Sequence, residues 1–186
     1  MGKYLVNVVE ETESLNLFGF WKTSSNDRKN HNLDDLLQKY FSKIGKKGMQ
    51  KFPYFIISNH DEKTQESKLF VGGFTQHAGL DTAVLAKGRY AIILVKPRLK
   101  TFWHEAIHKT KDYFYTEWLP HSKYVSLQTH YEYHNMKTIA SSPQMEIGFA
   151  IEKKCMKEEF GKDWLPMIVN PYSVFNLLNK NRKRGF

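Results

Sequence analysis

Residues 87–120 read KGRYAIILVKPRLKTFWHEAIHKTKDYFYTEWLP. The run opens with a strand, Arg89 to Lys96, in which aliphatic and aromatic residues dominate. Pro97 ends it, because proline has no N–H to give a strand ladder. A helix follows. Trp103, Ile107, Thr110 and Phe114 recur at the spacing of one helical face, and Ala106 and Tyr113 widen that face. The helix runs out at Glu117-Trp118-Leu119-Pro120, since a proline disfavours helical geometry at the residue before it. Strand, corner, amphipathic helix and an aromatic exit therefore come from one stretch.

Outward from it, the same order appears twice. After Pro120, Tyr124 to Tyr133 (YVSLQTHYEY) alternates as a long strand, 134–144 is a loop, and Met145 to Ile151 (MEIGFAI) is a closing strand. Upstream, Tyr4 to Glu10 alternates as a strand. LFGFWKT over 17–23 is a second extended run, either a continuation past a bulge at Gly19 or a separate strand. A polar loop, 24–32, leads to a helix with apolar positions at Leu33, Leu36, Leu37, Tyr40, Phe41 and Ile44. Asn32 suits its N-cap, and Asp34 and Asp35 suit the positive end of its dipole. FPYFIIS (52–58) and LFVGGFT (69–75) then form a hairpin around a polar loop, and 76–86 connects to the central stretch. One helix cannot cover a large sheet alone, so two such units pack side by side. The expectation is an α+β domain of two β-α-β-β repeats with pseudo-two-fold symmetry, forming a curved antiparallel sheet with a central ligand cleft. This domain spans 1–153. Residues 154–186 read as a C-terminal appendage with a basic tail, Lys180, Arg182, Lys183 and Arg184.

At 186 residues the chain fits one domain with a real core. A single cysteine, Cys155, excludes an internal disulfide and a four-cysteine zinc site, and fits a reducing cytosol. No secretory signal is read at the N-terminus, and no window reaches the ~18 apolar residues of a membrane span, so the expectation is cytoplasmic with no membrane partner. The net charge is +9, much of it in Lys43, Lys46, Lys47, Lys51 and the tail. Such runs read as solvated surface or as a patch for nucleic acid or protein. No helix-turn-helix is legible, so sequence-specific DNA binding by this chain is not expected.

Four segments in order resemble the GyrI-like small-molecule-binding family, which also serves as the effector-binding domain of AraC-type and MerR-type multidrug regulators. Gly88-Arg89-Tyr90-Ala91 resembles its "G-x-Y-A" strand start. YFYTEWLP (113–120) resembles its helix exit, Tyr131-Glu132-Tyr133 its aromatic-and-glutamate strand, and 145–151 its closing strand. Phe18-Gly19-Phe20 fits a first-half position loosely. The resemblance covers roughly residues 3–153. It departs at one point: the tyrosine usual two residues after the glutamate is His134 here. What the resemblance implies is an aromatic cleft between the repeats with a glutamate at its centre. A carboxylate among rings is poorly solvated and favours a cationic ligand, to which ring faces add cation–π attraction of ~0.5–2 kcal/mol each. The implied ligand-binding residues are Tyr90, Tyr115, Trp118, Tyr131, Glu132, Tyr133 and Glu146. Strand alternation puts Tyr131 and Tyr133 on one face and Glu132 on the other. Tyr90 and Trp118 read equally as core aromatics, and Glu132 also as a solvent-facing strand residue.

His104-Glu105-Ala106-Ile107-His108 satisfies H-E-x-x-H, the zinc peptidase signature. On a wheel of about 100° per residue the two histidines point sideways from the apolar face, and Lys109 and Lys111 crowd the site with positive charge. No metal and no cofactor is therefore expected. The functional expectation is a stand-alone binder of small lipophilic or cationic organic molecules, of sensor or effector-binding type. The alternative is a hydrolase of reactive electrophiles with Glu132 as the catalytic carboxylate. A zinc hydrolase through His104 and His108, and a protein partner contacted by the basic surface, are the further readings.

Overall fold

A computed structural model describes residues 4–24, 31–61, 66–99 and 102–154. Eight strands lie in one antiparallel sheet: β1 Val6–Glu11, β2 Leu15–Ser24, β3 Tyr54–Asp61, β4 Glu66–Gly73, β5 Asp81–Leu85, β6 Gly88–Val95, β7 Tyr124–His134 and β8 Met145–Lys153. Helix α1 is His31–Lys43 and α2 is Trp103–Tyr113. Helix α2 continues through a wide π-helical turn, Phe114–Trp118, and a last turn, Leu119–His121. Pro120 therefore sits inside the final turn, which ends at His121, one residue past the exit read from sequence.

The strand order is β1-β6-β8-β7-β3-β4-β2-β5. A pseudo-two-fold axis runs between β7 and β3 and exchanges β1 with β5, β2 with β6, and β4 with β8. Each repeat is the expected β-α-β-β unit preceded by one more strand. That extra strand does not stay at home: β1 pairs with β6 of the second repeat, and β5 with β2 of the first. The connection expected over 76–86 thus contains β5. Its Ala83 and Leu85 are buried while Thr82 and Val84 are exposed, but five residues are too few for alternation to stand out. Met136–Ile139 forms a short 3-10 turn capped by the Asn135 side chain, which accepts from the Lys137 N–H at 2.8 Å.

Alternation sorts the sheet into two faces. One face is covered by the helices. Leu36, Tyr40 and Phe41 of α1, with Ile44 just after it, pack on Ile56 and Val71. Phe114, at the end of α2, packs among Ala91, Ile93, Val95, Ile147, Phe149 and Ile151, with its ring stacked 3.8 Å from that of Phe149. The other face is concave and lined by Leu17, Phe55, Ile57, Phe70, Leu85, Tyr90 and Tyr131. Two glycines permit this packing. A Cβ on Gly148 would lie 2.3 Å from the Tyr131 ring, and one on Gly19 2.0 Å from the Val71 carbonyl oxygen. The appendage expected over 154–186 lies, beyond Lys154, outside the described residues.

Candidate functional site: the concave face

The axis strands β3 and β7 set the centre of the concave face. Phe55 stands opposite Tyr133, Ile57 opposite Tyr131, and Asn59 opposite Thr129. Directly opposed residues share a face, so these six side chains form a double row. Phe55 and Tyr133 lie 4.7 Å apart between ring centroids, Phe55 and Phe74 5.4 Å, and Tyr131 and Tyr90 5.6 Å with rings edge-on. Tyr90 donates its hydroxyl to the Ala86 carbonyl at 2.6 Å, which fixes its ring. Phe55, Phe74, Tyr131, Tyr133 and Leu85 enclose a cavity of about 240 Å³, and Glu11 and Glu13 stand at its mouth. Glu146 lies on the same face, directly opposite Tyr133 in the β7–β8 ladder.

The carboxylates are felt by the rings. Burial first, then the Glu146 and Glu11 charges, push the Tyr131 hydroxyl pKa up. Burial and then Glu11 raise that of Tyr90. Both phenols are therefore neutral donors throughout the physiological range. The chemistry of this cavity is aromatic and electronegative.

Glu132 occupies the opposite face. It is 6% exposed and lies behind the sheet. There Lys111 Nζ, reaching from α2, donates to its Oε1 at 2.8 Å, and His134 Nε2 approaches Oε2 at 3.3 Å. An ionised carboxylate only accepts, so Nε2 is the protonated nitrogen of His134. The His134 ring stacks on Tyr54 at 4.6 Å. Burial alone raises the Glu132 pKa; the His134 hydrogen bond and the Lys111 charge outweigh it and hold it at about 2. His130 completes the row, its ring near Phe149. Burial, then the Lys111 charge, lower its pKa to about 3 against a smaller opposing pull from Glu132.

Of the residues singled out from sequence, Tyr90, Tyr131, Tyr133 and Glu146 share the concave face. Tyr115 and Trp118 pack behind the sheet in the α2 cluster with Phe114 and Phe149, and Glu132 lies behind it as described. Glu11, Glu13, Phe55, Phe74 and Leu85 were not singled out. FPYFIIS is apolar on both faces of its strand, so nothing in it sets Phe55 apart, and Glu11 and Glu13 carry no local signal. The H-E-x-x-H residues lie on the outer side of α2. His104 and His108 are exposed, with ring centroids 6.5 Å apart. His108 Nδ1 meets Asp112 at 2.8 Å, and Lys109 pairs with Glu105. Among the described residues, no group of three or more His, Cys, Asp or Glu side chains could hold a metal ion. No described helix is long and apolar enough to cross a membrane.

No protein-family model and no curated protein matches the sequence. Solved structures do match the fold. SAV2435 bound to tetraphenylphosphonium superposes at a TM-score of 0.58 with 13% identity, over 81% of this chain and 94% of that one. An integron cassette protein from the mobile metagenome of Vibrio cholerae gives 0.57 and 14%, over 79% and 95%. The C-terminal domain of EcmrR gives 0.51 and 12%, over 82% and 100%. Small-molecule binding is thus found on this architecture, in the phosphonium complex. Read with the ordered sequence motifs, these likenesses give the chain the fold of the GyrI-like effector-binding domains.

Proposed function

We propose that the chain binds small lipophilic organic cations on its concave face and acts as a sensor or sequestering domain rather than as an enzyme. The observation that carries this reading is the aromatic cavity of Phe55, Phe74, Tyr131 and Tyr133, with Glu11 and Glu13 at its mouth. Ring faces attract a cation, and carboxylates beside an apolar wall are incompletely hydrated and gain from neutralisation. The phosphonium ligand of SAV2435 has this chemistry. Hydrolysis would need a carboxylate free to take a proton in the cleft. Glu132 is engaged by Lys111 and His134 on the far face, which counts against its service as that carboxylate.

Titration calorimetry with methyltriphenylphosphonium and its neutral counterpart, triphenylphosphine oxide, tests the reading. The cation binds saturably and more tightly than the neutral compound. The double variant Glu11→Gln/Glu13→Gln weakens the cation about tenfold, as expected for two partly screened charges worth ~0.5–1 kcal/mol each. Absence of saturable binding, or equal binding of the two compounds, would sink it.

A further inference from the structure

The pseudo-two-fold axis implies that a pocket on one side of the cleft has a counterpart on the other. It does. A second cavity of about 210 Å³ is lined by Trp21, Ile57, Asn59, Tyr90 and Thr129, with Lys87 and Arg89 along it. The correspondence is element by element. The β1–β2 connection at the first cavity corresponds to the β5–β6 connection at the second. The end of β7, with Tyr131 and Tyr133, corresponds to the end of β3, with Ile57 and Asn59. Leu85 and Ala86 border both cavities, so the two are lobes of one cleft. Its waist is bridged where the two connections meet, the Lys87 N–H donating to Ser14 Oγ at 3.0 Å.

The lobes have opposite character. Carboxylates, Glu11 and Glu13, stand at the first. The corresponding connection at the second carries Lys87, followed by Arg89. Arg89 is committed, since its Nε donates to Glu10 Oε2 at 2.7 Å. The Lys87 ammonium makes no ion pair among the described residues. The second lobe also offers polar walls, Asn59 and Thr129, where the first has rings. The symmetry is broken further by β7. Between Ser126 and His130 this strand carries two more residues than β8 does opposite. Gln128 in that bulge has φ of 57°, a conformation uncommon for a residue with a side chain. Leu127 and Thr129, on either side of Gln128, both line the second lobe. A strained, irregular strand at the wall of a cavity is a feature that ligand sites use.

We propose that the two lobes read the two ends of one elongated ligand: an aromatic cation in the glutamate lobe and a carboxylate or comparable anion beside Lys87. The preferred ligand is then a zwitterionic or bipolar amphiphile, not a simple cation. This rests on the cation-binding reading of the first lobe and narrows its substrate class.

A carboxyalkyl triphenylphosphonium and its methyl ester share the cation and differ in the second charge. Calorimetric titration of both on the wild type and on Lys87→Glu separates the possibilities. The zwitterion binds the wild type at least about fivefold more tightly than the ester, the size expected of one partly exposed charge-assisted contact. Lys87→Glu abolishes or reverses that preference without weakening the ester, and added salt erodes the preference only in the wild type. Ester and zwitterion binding equally, or a preference that survives Lys87→Glu, overturns the two-lobe assignment and leaves cation binding standing. Binding of neither compound overturns both.

Discussion

His130 Nε2 is buried without a hydrogen-bond partner among the described residues, one turn of the strand from a carboxylate and close to an ammonium. Its imidazole is held neutral because burial and Lys111 disfavour the cation. The consequence for stability has a definite sign. Its folded pKa, about 3, lies below the ordinary 6.5, so between these values the unfolded chain binds a proton that the native chain refuses. Stability therefore falls as pH drops from about 6.5 toward 3 and the contribution levels off below that. Glu132 acts lower: its folded pKa of about 2 against 4.5 gives stability that is complete above 4.5 and lost as pH falls through 2. Urea unfolding of wild type and His130→Phe between pH 7 and 4 checks this. The variant should show a distinctly flatter dependence, and parallel curves would refute the assignment. Alternation separates Tyr131 and Tyr133 from Glu132, and that much is legible in the sequence. Which face the helices cover is not, because it depends on where α2 lands. Nor does the helix pattern show that Lys111, on a charged flank, extends its stem far enough to neutralise Glu132.

At the scale of elements, the bulge in β7 is where sequence and structure part most. YVSLQTHYEY reads as one alternating strand, and no glycine, proline or asparagine marks the interruption. The extra residues appear only when β7 is laid against β8, so the signal belongs to the pair and not to either strand. Left-handed backbone costs ~1–2 kcal/mol for an ordinary residue and more for a β-branched one. Gln128→Gly should fold with stability within about 1 kcal/mol of the wild type, whereas Gln128→Val should lose roughly 1–2 kcal/mol relative to the glycine variant. Chemical denaturation of both checks it, and equal stability would mean that the bulge relaxes freely. The hairpin β3–β4 and both helices were legible because apolar spacing is sustained over many residues. The strand β5 was not, because an edge strand of five residues takes its identity from β2.

For the whole molecule, the repeat was legible as an order of elements, whereas the exchange of first strands was not. Nothing local in VNVVEE or DTAVL indicates a partner in the other half. The exchange makes the halves interdependent. Cut between Gln76 and His77, each fragment keeps a helix and a three-stranded sheet but holds one strand whose only partner is in the other fragment. Expressed alone, the fragments should show no cooperative unfolding transition; coexpressed, they should copurify and regain one. Independent cooperative folding of either fragment would show that the exchanged strand is dispensable.

The exchanged strands have a bearing on ancestry. Two copies of a single β-β-α-β-β chain, each lending its opening strand to its twin, would build the same eight-strand order as a homodimer. Only the short span between Gly73 and Asp81 has to be supplied to make that dimer one polypeptide. In the dimer both lobes of the cleft would be identical and could hold only like groups. In a single chain the two connections that meet at Ser14 and Lys87 are free to differ, and a cleft that would be self-symmetric in the dimer need not be so.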